Sequence, residues 1–310
     1  DLMMGLVGSE MCIRDSSIGA HILSGAVIKP EVFKELLPDV EFSEIPFNAK
    51  VVKDSMVLLG GNSHITLPFH IPYMNNIGNY TASLGQICKY LASKAEGKGV
   101  EIYTGFAVDE ILYQDGKVIG AKTKDTGIDH HGNQLDNFQA GTRIEAKITI
   151  FAEGTRGSLT KMLIQKFDLD KGKNAQIYSL GCKELWSVPQ GNIEAGQVYH
   201  TMGYPLNNDE FGGGFIYGLK DNKVAIGIVV GLDYKDPSFD VHDAMQAWKT
   251  TGFVSKILKG GKLVEYGAKT LPEGGYYSIP KLYVDNALII GDSAGSVSYT
   301  HLAGDSQMTL

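Results

Sequence analysis

The 310-residue chain has three cysteines, Cys12, Cys88 and Cys182, far apart and with no Cys-x-x-Cys among them. Neither a disulfide framework nor a complete zinc or iron–sulfur ligand set can be read from that pattern. Basic residues are outnumbered, 28 Lys and Arg against 35 Asp and Glu for a net charge of −7, and no basic block is present. Nothing tracks a phosphate backbone, which excludes nucleic acid as a partner. No apolar run approaches the roughly 18 residues that a spanning helix needs. No early strand is followed by Gly-x-Gly-x-x-Gly, the pyrophosphate-binding turn of dinucleotide folds. What remains is 43% hydrophobic and 20% charged, enough for one large core or two ordinary domains.

Both ends stand apart from the rest. Residues 1–16 (DLMMGLVGSEMCIRDS) lack the basic start of a signal peptide and show no helical or strand period. They resemble translated sequencing-adapter read-through, as does VSYTHL at 297–302. With residues 1–16 and 296–310 set aside as artefactual, the chain reads as an internal fragment.

The most informative stretch is Asn286–Gly295, an apolar run ending in Gly-Asp-Ser-Ala-Gly. Such a strand can place a carboxylate and free backbone N–H groups beside a nucleotide cofactor. It can equally be a strand-to-helix turn with Asp292 or Ser293 as the cap. A second copy of the arrangement argues for the cofactor. Ile144–Ala152 reads as a buried strand that runs into Glu153-Gly154, and Leu159, Met162, Leu163 and Phe167 then mark a helix. Taken alone, that turn is a simple helix start with Ser158 as its cap.

Elsewhere the patterning mixes helix and strand. Leu84, Ile87, Cys88, Leu91 and Ala95 recur at helical spacing, and Gly97 and Gly99 stop the helix. Ala107–Tyr113 and Val118–Thr123 flank Asp115-Gly116, a hairpin signal. His130 and His131 fall in a polar loop and receive no role. The second half is strand-rich: Gln176–Trp186, Gly196–Tyr204, Phe215–Leu219 and Lys223–Leu232, with Asp221-Asn222 as a turn. In its middle stands Phe211-Gly212-Gly213-Gly214-Phe215, either a β-bulge or wide turn, or bare backbone for a flat ligand walled by Phe211, Phe215 and Tyr217. Ala244, Met245, Trp248, Phe253, Ile257 and Leu258 form a helical segment over that sheet. Met56–Leu59 and Ile65–Met74 around Gly60-Gly61-Asn62-Ser63 read as a hairpin, suited either to core burial or to dipping into a membrane interface.

Together, Gly19–Ala26, Met74–Tyr80, Thr149–Gly154, Lys183–Trp186, Gly212-Gly213, Val229–Tyr234 and Glu273–Lys281 resemble the electron transfer flavoprotein-ubiquinone oxidoreductase family, over about Ser17 to Gly295. The resemblance implies electron relay without a nucleophile or acid–base pair, so no catalytic residue is expected. Electrons from reduced electron transfer flavoprotein would enter through a 4Fe-4S cluster and FAD and leave to ubiquinone drawn from the lipid. It places Gly212 and Gly213 against ubiquinone. Glu153, Gly154, Gly291, Asp292, Ala294 and Gly295 fall on FAD-lining turns, Ser24 and Gly25 lie near the flavin, and Val108 meets the adenine. It also puts the hairpin on a membrane-contacting surface. The implied location is the bacterial inner membrane, peripheral on the cytoplasmic face, or the matrix side of the mitochondrial inner membrane.

The expected architecture is mixed α/β and α+β. A partial FAD-binding, Rossmann-like domain of glutathione-reductase type (91–175 and 272–295) interleaves with an antiparallel-sheet quinone-binding domain (24–90 and 176–271). The pyrophosphate turn and the four cluster-binding cysteines of the family are missing, so no metal site is expected here. The isolated chain should bind FAD weakly or not at all and show little yellow flavin absorbance. Two other readings stay open: a geranylgeranyl-reductase-like or hydroxylase-like flavoenzyme, and a quinone- or lipid-binding module without a redox centre.

Overall fold

The computed structural model describes residues 10–13, 17–20, 22, 25–69 and 74–295. In chain order the elements are β1 (Glu10–Ile13), β2 (Ala26–Ile28), α1 (Glu31–Leu36), β3 (Phe47–Lys50), β4 (Lys53–Leu59), β5 (His64–Thr66) and β6 (Tyr80–Ala82). Then come α2 (Leu84–Glu96), β7 (Glu101–Thr104), β8 (Val108–Gln114), β9 (Lys117–Thr123), β10 (Thr126–Ile128), β11 (Gln134–Gln139), β12 (Arg143–Glu145) and β13 (Thr149–Phe151). The remainder is α3 (Ser158–Phe167), β14 (Tyr178–Ser187), β15 (Gln197–Gly203), β16 (Gly212–Leu219), β17 (Lys223–Gly231), α4 (Val241–Thr250), α5 (Gly252–Leu258), β18 (Lys262–Pro272), β19 (Tyr283–Val284) and β20 (Ala287–Ile289).

A seven-stranded sheet in the order β18-β14-β17-β16-β15-β4-β5 dominates, antiparallel at every pairing except the parallel β15–β4. Alternation along each strand divides its residues between two faces. One face carries Ile216, Val224, Ile226, Ile228 and Val230 against Met245, Trp248, Val254 and Ile257 of α4 and α5. Each fully buried aliphatic side chain there contributes about 1.5–3 kcal/mol. The other face carries Leu185, Val198, Phe215, Tyr217, Ala225 and Val229. Asp221 and Asn222, at φ 59° and 52°, make the tight β16–β17 turn, the left-handed pair that such a hairpin requires.

The glycine run is neither a bulge nor a wide turn. Gly212, Gly213 and Gly214 are regular strand, in register with Val230, Val229 and Ile228 of β17. The fold supplies its own reason for Gly214: a Cβ there would lie 2.6 Å from the Trp248 ring and 2.5 Å from Thr201 Oγ1. The indole rests on the bare backbone and its N–H donates to Thr201 Oγ1 at 2.9 Å.

The helical pattern at 244–258 resolves into α4 and α5. Thr251 breaks it with an extended ψ of 147° while its hydroxyl donates to the Trp248 carbonyl at 2.8 Å. Beside α4, Lys249 donates to both oxygens of Glu184 at 2.7 and 3.0 Å, and Trp186 Nε1 donates to the same carboxylate at 2.7 Å.

Two three-stranded sheets, β12-β9-β8 and β13-β20-β19, share a second core of Ile111, Val118, Phe151, Leu163 and Ile289 with α3. The β8–β9 hairpin turns at Asp115 and Gly116, φ 49° and 78°, where the sequence placed it. The single strand expected over Ile144–Ala152 is instead two, β12 antiparallel to β9 and β13 parallel to β20. Its isoleucines serve different sheets, and Ile148 between them faces solvent. Residues 10–13, set aside above, form β1 parallel to β7; Met11-Cys12-Ile13 is too short to announce a period. A small sheet β2-β6-β3 packs with α1 and α2, and Ser83 caps α2 by accepting from the Gln86 N–H.

Candidate functional site

The two acidic turns meet. Because β13 and β20 pair in parallel, Phe151 beside Ile289, both strands deliver their turns at one sheet end, as the carboxyl ends of parallel strands do where open α/β sheets bind ligands. Ser293 Oγ donates to the Gly154 carbonyl at 2.9 Å. Thr155 Oγ1 lies 3.2 Å from Asp292 Oδ2 and donates to the Thr270 carbonyl of β18 at 2.7 Å, binding the turns to the large sheet. Arg156 stacks over Tyr178, 5.5 Å from the ring centroid. Gly154 and Gly291 both take left-handed φ, 80° and 63°, and a Cβ added to either would meet no described atom within 4 Å. That open space flanks the carboxylate of Asp292.

The Glu153 carboxylate is engaged by the start of α3. It accepts from the N–H groups of Leu159 (3.2 Å) and Thr160 (2.6 Å) and from the Thr160 hydroxyl (2.7 Å). It therefore caps α3, satisfying orphan donors and complementing the helix dipole, where the sequence suggested Ser158. Neither Asp292 nor Ser293 caps a helix by side chain; both sit in a short 3-10 turn, Gly291–Ala294.

Ala294 is buried in the second core, and Val108 at the start of β8 packs against the same cluster. Gly295 turns with φ 65°, and a Cβ there would press on Gln176 Nε2 at 2.5 Å. Gly25, φ 111°, lies against the large sheet: a Cβ would meet Ala225 Cβ at 2.8 Å and the rings of Phe215 and Tyr217 at 3.7 and 3.9 Å. Gly213 belongs to that same face, two residues along β16 from Phe215, whereas Gly212 alternates to the other. Ser24 lies outside the described residues. Of the aromatic walls, Phe215 and Tyr217 are buried and stacked at 4.7 Å, and Phe211 is exposed.

Sequence reasoning passed over two features of this face. Asp54 on β4, His200 on β15 and Asn76 form a buried polar cluster. Asp54 Oδ2 accepts from the Asn76 backbone and side-chain N–H groups, both at 2.9 Å, and His200 Nε2 lies 3.5 Å from Asp54 Oδ1. Burial and the charge of Asp54 raise the pKa of Tyr217 nearby. The other feature is Lys183, which occupies the row Lys183–Gly227–Phe215–His200. Its Nζ stands 5.6 Å from the Phe215 ring centroid, and the charge of Asp292 reaches it. Lys183 thus joins the acidic turn to the glycine strand. A lysine flanked by strand residues, where alternation turns it inward, was the available signal.

Residues 178–271 match the sequence family "ETF-QO, ubiquinone-binding". Over 287 residues, 92% of this chain and 45% of the relative, the sequence is 45% identical to the probable mitochondrial electron transfer flavoprotein-ubiquinone oxidoreductase of Schizosaccharomyces pombe. The chain belongs to the electron transfer flavoprotein-ubiquinone oxidoreductase family. The Pseudomonas aeruginosa member is 41% identical over 302 residues, covering 95% of this chain and 55% of that protein. The chain spans about half the length of the curated relatives it matches. Among solved structures, a geranylgeranyl bacteriochlorophyll reductase-like protein from Thermoplasma acidophilum superposes with TM-score 0.66 at 16% identity, covering 94% of this chain and 66% of that one. A ternary complex of aklavinone-11 hydroxylase with FAD and aklavinone gives 0.62 at 12% identity, covering 94% and 53%. At those identities the likeness is one of fold, the mixed α/β fold of FAD-dependent enzymes.

The residues present fit FAD. Two open, left-handed glycines flank a carboxylate, and the charge of that carboxylate reaches the half-buried Lys183. They do not fit a 4Fe-4S cluster, which takes four thiolates: Cys12, Cys88 and Cys182 lie on β1, α2 and β14, and no described group of ligands contains a cysteine.

Proposed function

We propose that this chain forms the FAD- and quinone-facing part of an electron transfer flavoprotein-ubiquinone oxidoreductase, at the surface of the inner membrane. One observation carries the reading. Gly25 and Gly213 lie on one face of the large sheet with Phe215 and Lys183, and the charge of Asp292 reaches Lys183. Asp292, with Thr155 behind it, holds sugar-alcohol hydroxyls of FAD, and Gly154 and Gly291 allow close backbone approach. Phe215, Tyr217 and Ala225 keep water from the face. FAD, when bound, supplies the redox chemistry itself.

Gly213 and the exposed Phe211 receive the quinone ring. Leu58, Ile65 and Phe69, 46%, 63% and 59% exposed, give the β4–β5 hairpin an apolar outer surface for lipid, whereas Met56, Val57 and Leu59 are core. Reduced electron transfer flavoprotein is the electron donor. No step is assigned to an iron–sulfur cluster.

The test is equilibrium binding to the chain of FAD, expected to be weak but measurable through the Asp292 turn, and of a short-chain ubiquinone. Asp292→Ala should weaken FAD at least tenfold and leave the quinone unchanged, and Phe211→Ala should do the reverse. FAD affinity indifferent to Asp292 would overturn the reading.

A further inference from the structure

Lys183 links the Asp292 turn to the glycine strand, yet its charge is left without a bonded partner. It is half-buried, and among the described residues it forms no hydrogen bond or salt bridge. Gly227 makes its place possible: a Cβ there would lie 2.5 Å from the Phe215 ring over which the ammonium sits. Burial pulls its pKa below the ordinary 10.5, and the charge of Asp292 opposes that pull. Of the other charged groups on this face, Lys269 and Glu265 of β18, opposite Gly181 and Leu185, are exposed to solvent, and the rest are engaged. Asp54 binds Asn76 and faces His200, and Glu273 accepts from Ser179. Drawing a cation out of water is costly, and the carboxylate whose charge reaches this one belongs to the turn that opens at Gly291.

We propose that Lys183 is the electrostatic partner of the flavin ring, placed between the Asp292 turn and the Gly213 strand so as to favour the ring when it carries added negative charge. The inference rests on the flavin reading above. In a low-dielectric site an opposite charge at short range strongly favours the charged form of its partner. Lys183 therefore raises the reduction potential of the bound flavin, and when the negative charge arrives its own pKa rises.

The experiment saturates the chain with FAD and measures sulfite adduct formation at the flavin and the two-electron midpoint potential, in the parent and in Lys183→Met and Lys183→Arg. Sulfite addition places negative charge on the ring and reports a nearby cation directly. In Lys183→Met, sulfite should bind at least about tenfold more weakly and the potential should fall by about 30 mV, the two-electron equivalent of that factor. Lys183→Arg keeps the charge and should retain most of both. A flavin-independent readout is the titration of the Lys183 amine by NMR of the 13C-dimethylated chain: it should titrate below the surface lysines and move upward when FAD is added.

If the parent chain takes up no FAD, the flavin reading fails and this inference with it. If FAD binds but sulfite affinity and potential are unchanged in Lys183→Met, this inference alone is overturned. Should that variant not fold, the NMR titration decides, and a Lys183 resonance unmoved by FAD refutes the assignment.

Discussion

The Ser293 hydroxyl donates to the carbonyl of Gly154 over 2.9 Å, joining two turns 139 residues apart in the chain. The bond exists because β13 and β20 are parallel neighbours and release their chains at the same end. A site assembled from two such turns depends on each being rigid. Glu153 and Thr155 provide that rigidity, one by capping α3 and the other by bonding to β18.

Glu153→Ala should lower the unfolding free energy by about 1–2 kcal/mol, because two helix N–H groups and one hydroxyl lose their acceptor. Urea denaturation checks this. A variant as stable as the parent but with weaker FAD affinity would return Glu153 to the cofactor.

Gly214→Ala should destabilise by about 2–3 kcal/mol or leave the chain unfolded, since the methyl meets the Trp248 ring at 2.6 Å inside a packed core. Gly61→Ala, with open space around it, should stay within about 0.5 kcal/mol of the parent. Thermal melts of the pair separate a packing role for Gly214 from a general intolerance of glycine replacement.

Stability should carry a pH dependence at Glu273. Burial, with a further contribution from Asp233, raises its pKa above the ordinary 4.5, and the hydrogen bond from Ser179 only partly offsets this. The fold therefore favours the protonated acid. Stability that is complete below about 4.5 is lost as pH rises through the higher folded value. Glu273→Gln should be more stable than the parent at neutral pH and converge with it in acid. Denaturation curves collected from pH 4 to pH 8 decide the matter, and equal differences at every pH would exclude the ionisation.

Leu58→Glu with Ile65→Glu should weaken sedimentation with anionic phospholipid vesicles at least tenfold while leaving the melting temperature unchanged, because both side chains already face solvent. Unaltered vesicle binding would remove the hairpin from the membrane surface.

Much of this was legible before any coordinates. Gly116 after Asp115, and Asn222 after Asp221, announce their hairpins because few other residues accept left-handed φ. Leu84 to Ala95 at helical spacing announces α2, and Gly-Asp at the end of an apolar run announces a turn. These are local conditions, satisfied by residues close in sequence. The split of Ile144–Ala152 was not legible, because an apolar residue in a short strand does not name the sheet it belongs to.

By itself the sequence determined the family, the helix and strand types, and the two acidic turns, all through local backbone preference and side-chain pattern. Only the tertiary structure decided that the turns lie side by side, that Trp248 rather than a ligand accounts for Gly214, and that Lys183 faces Phe215 and Asp292. The physical reason is range. Propensity and alternation act over a few residues, whereas a shared face is set by strand order and register among segments far apart in the chain, which no local rule encodes.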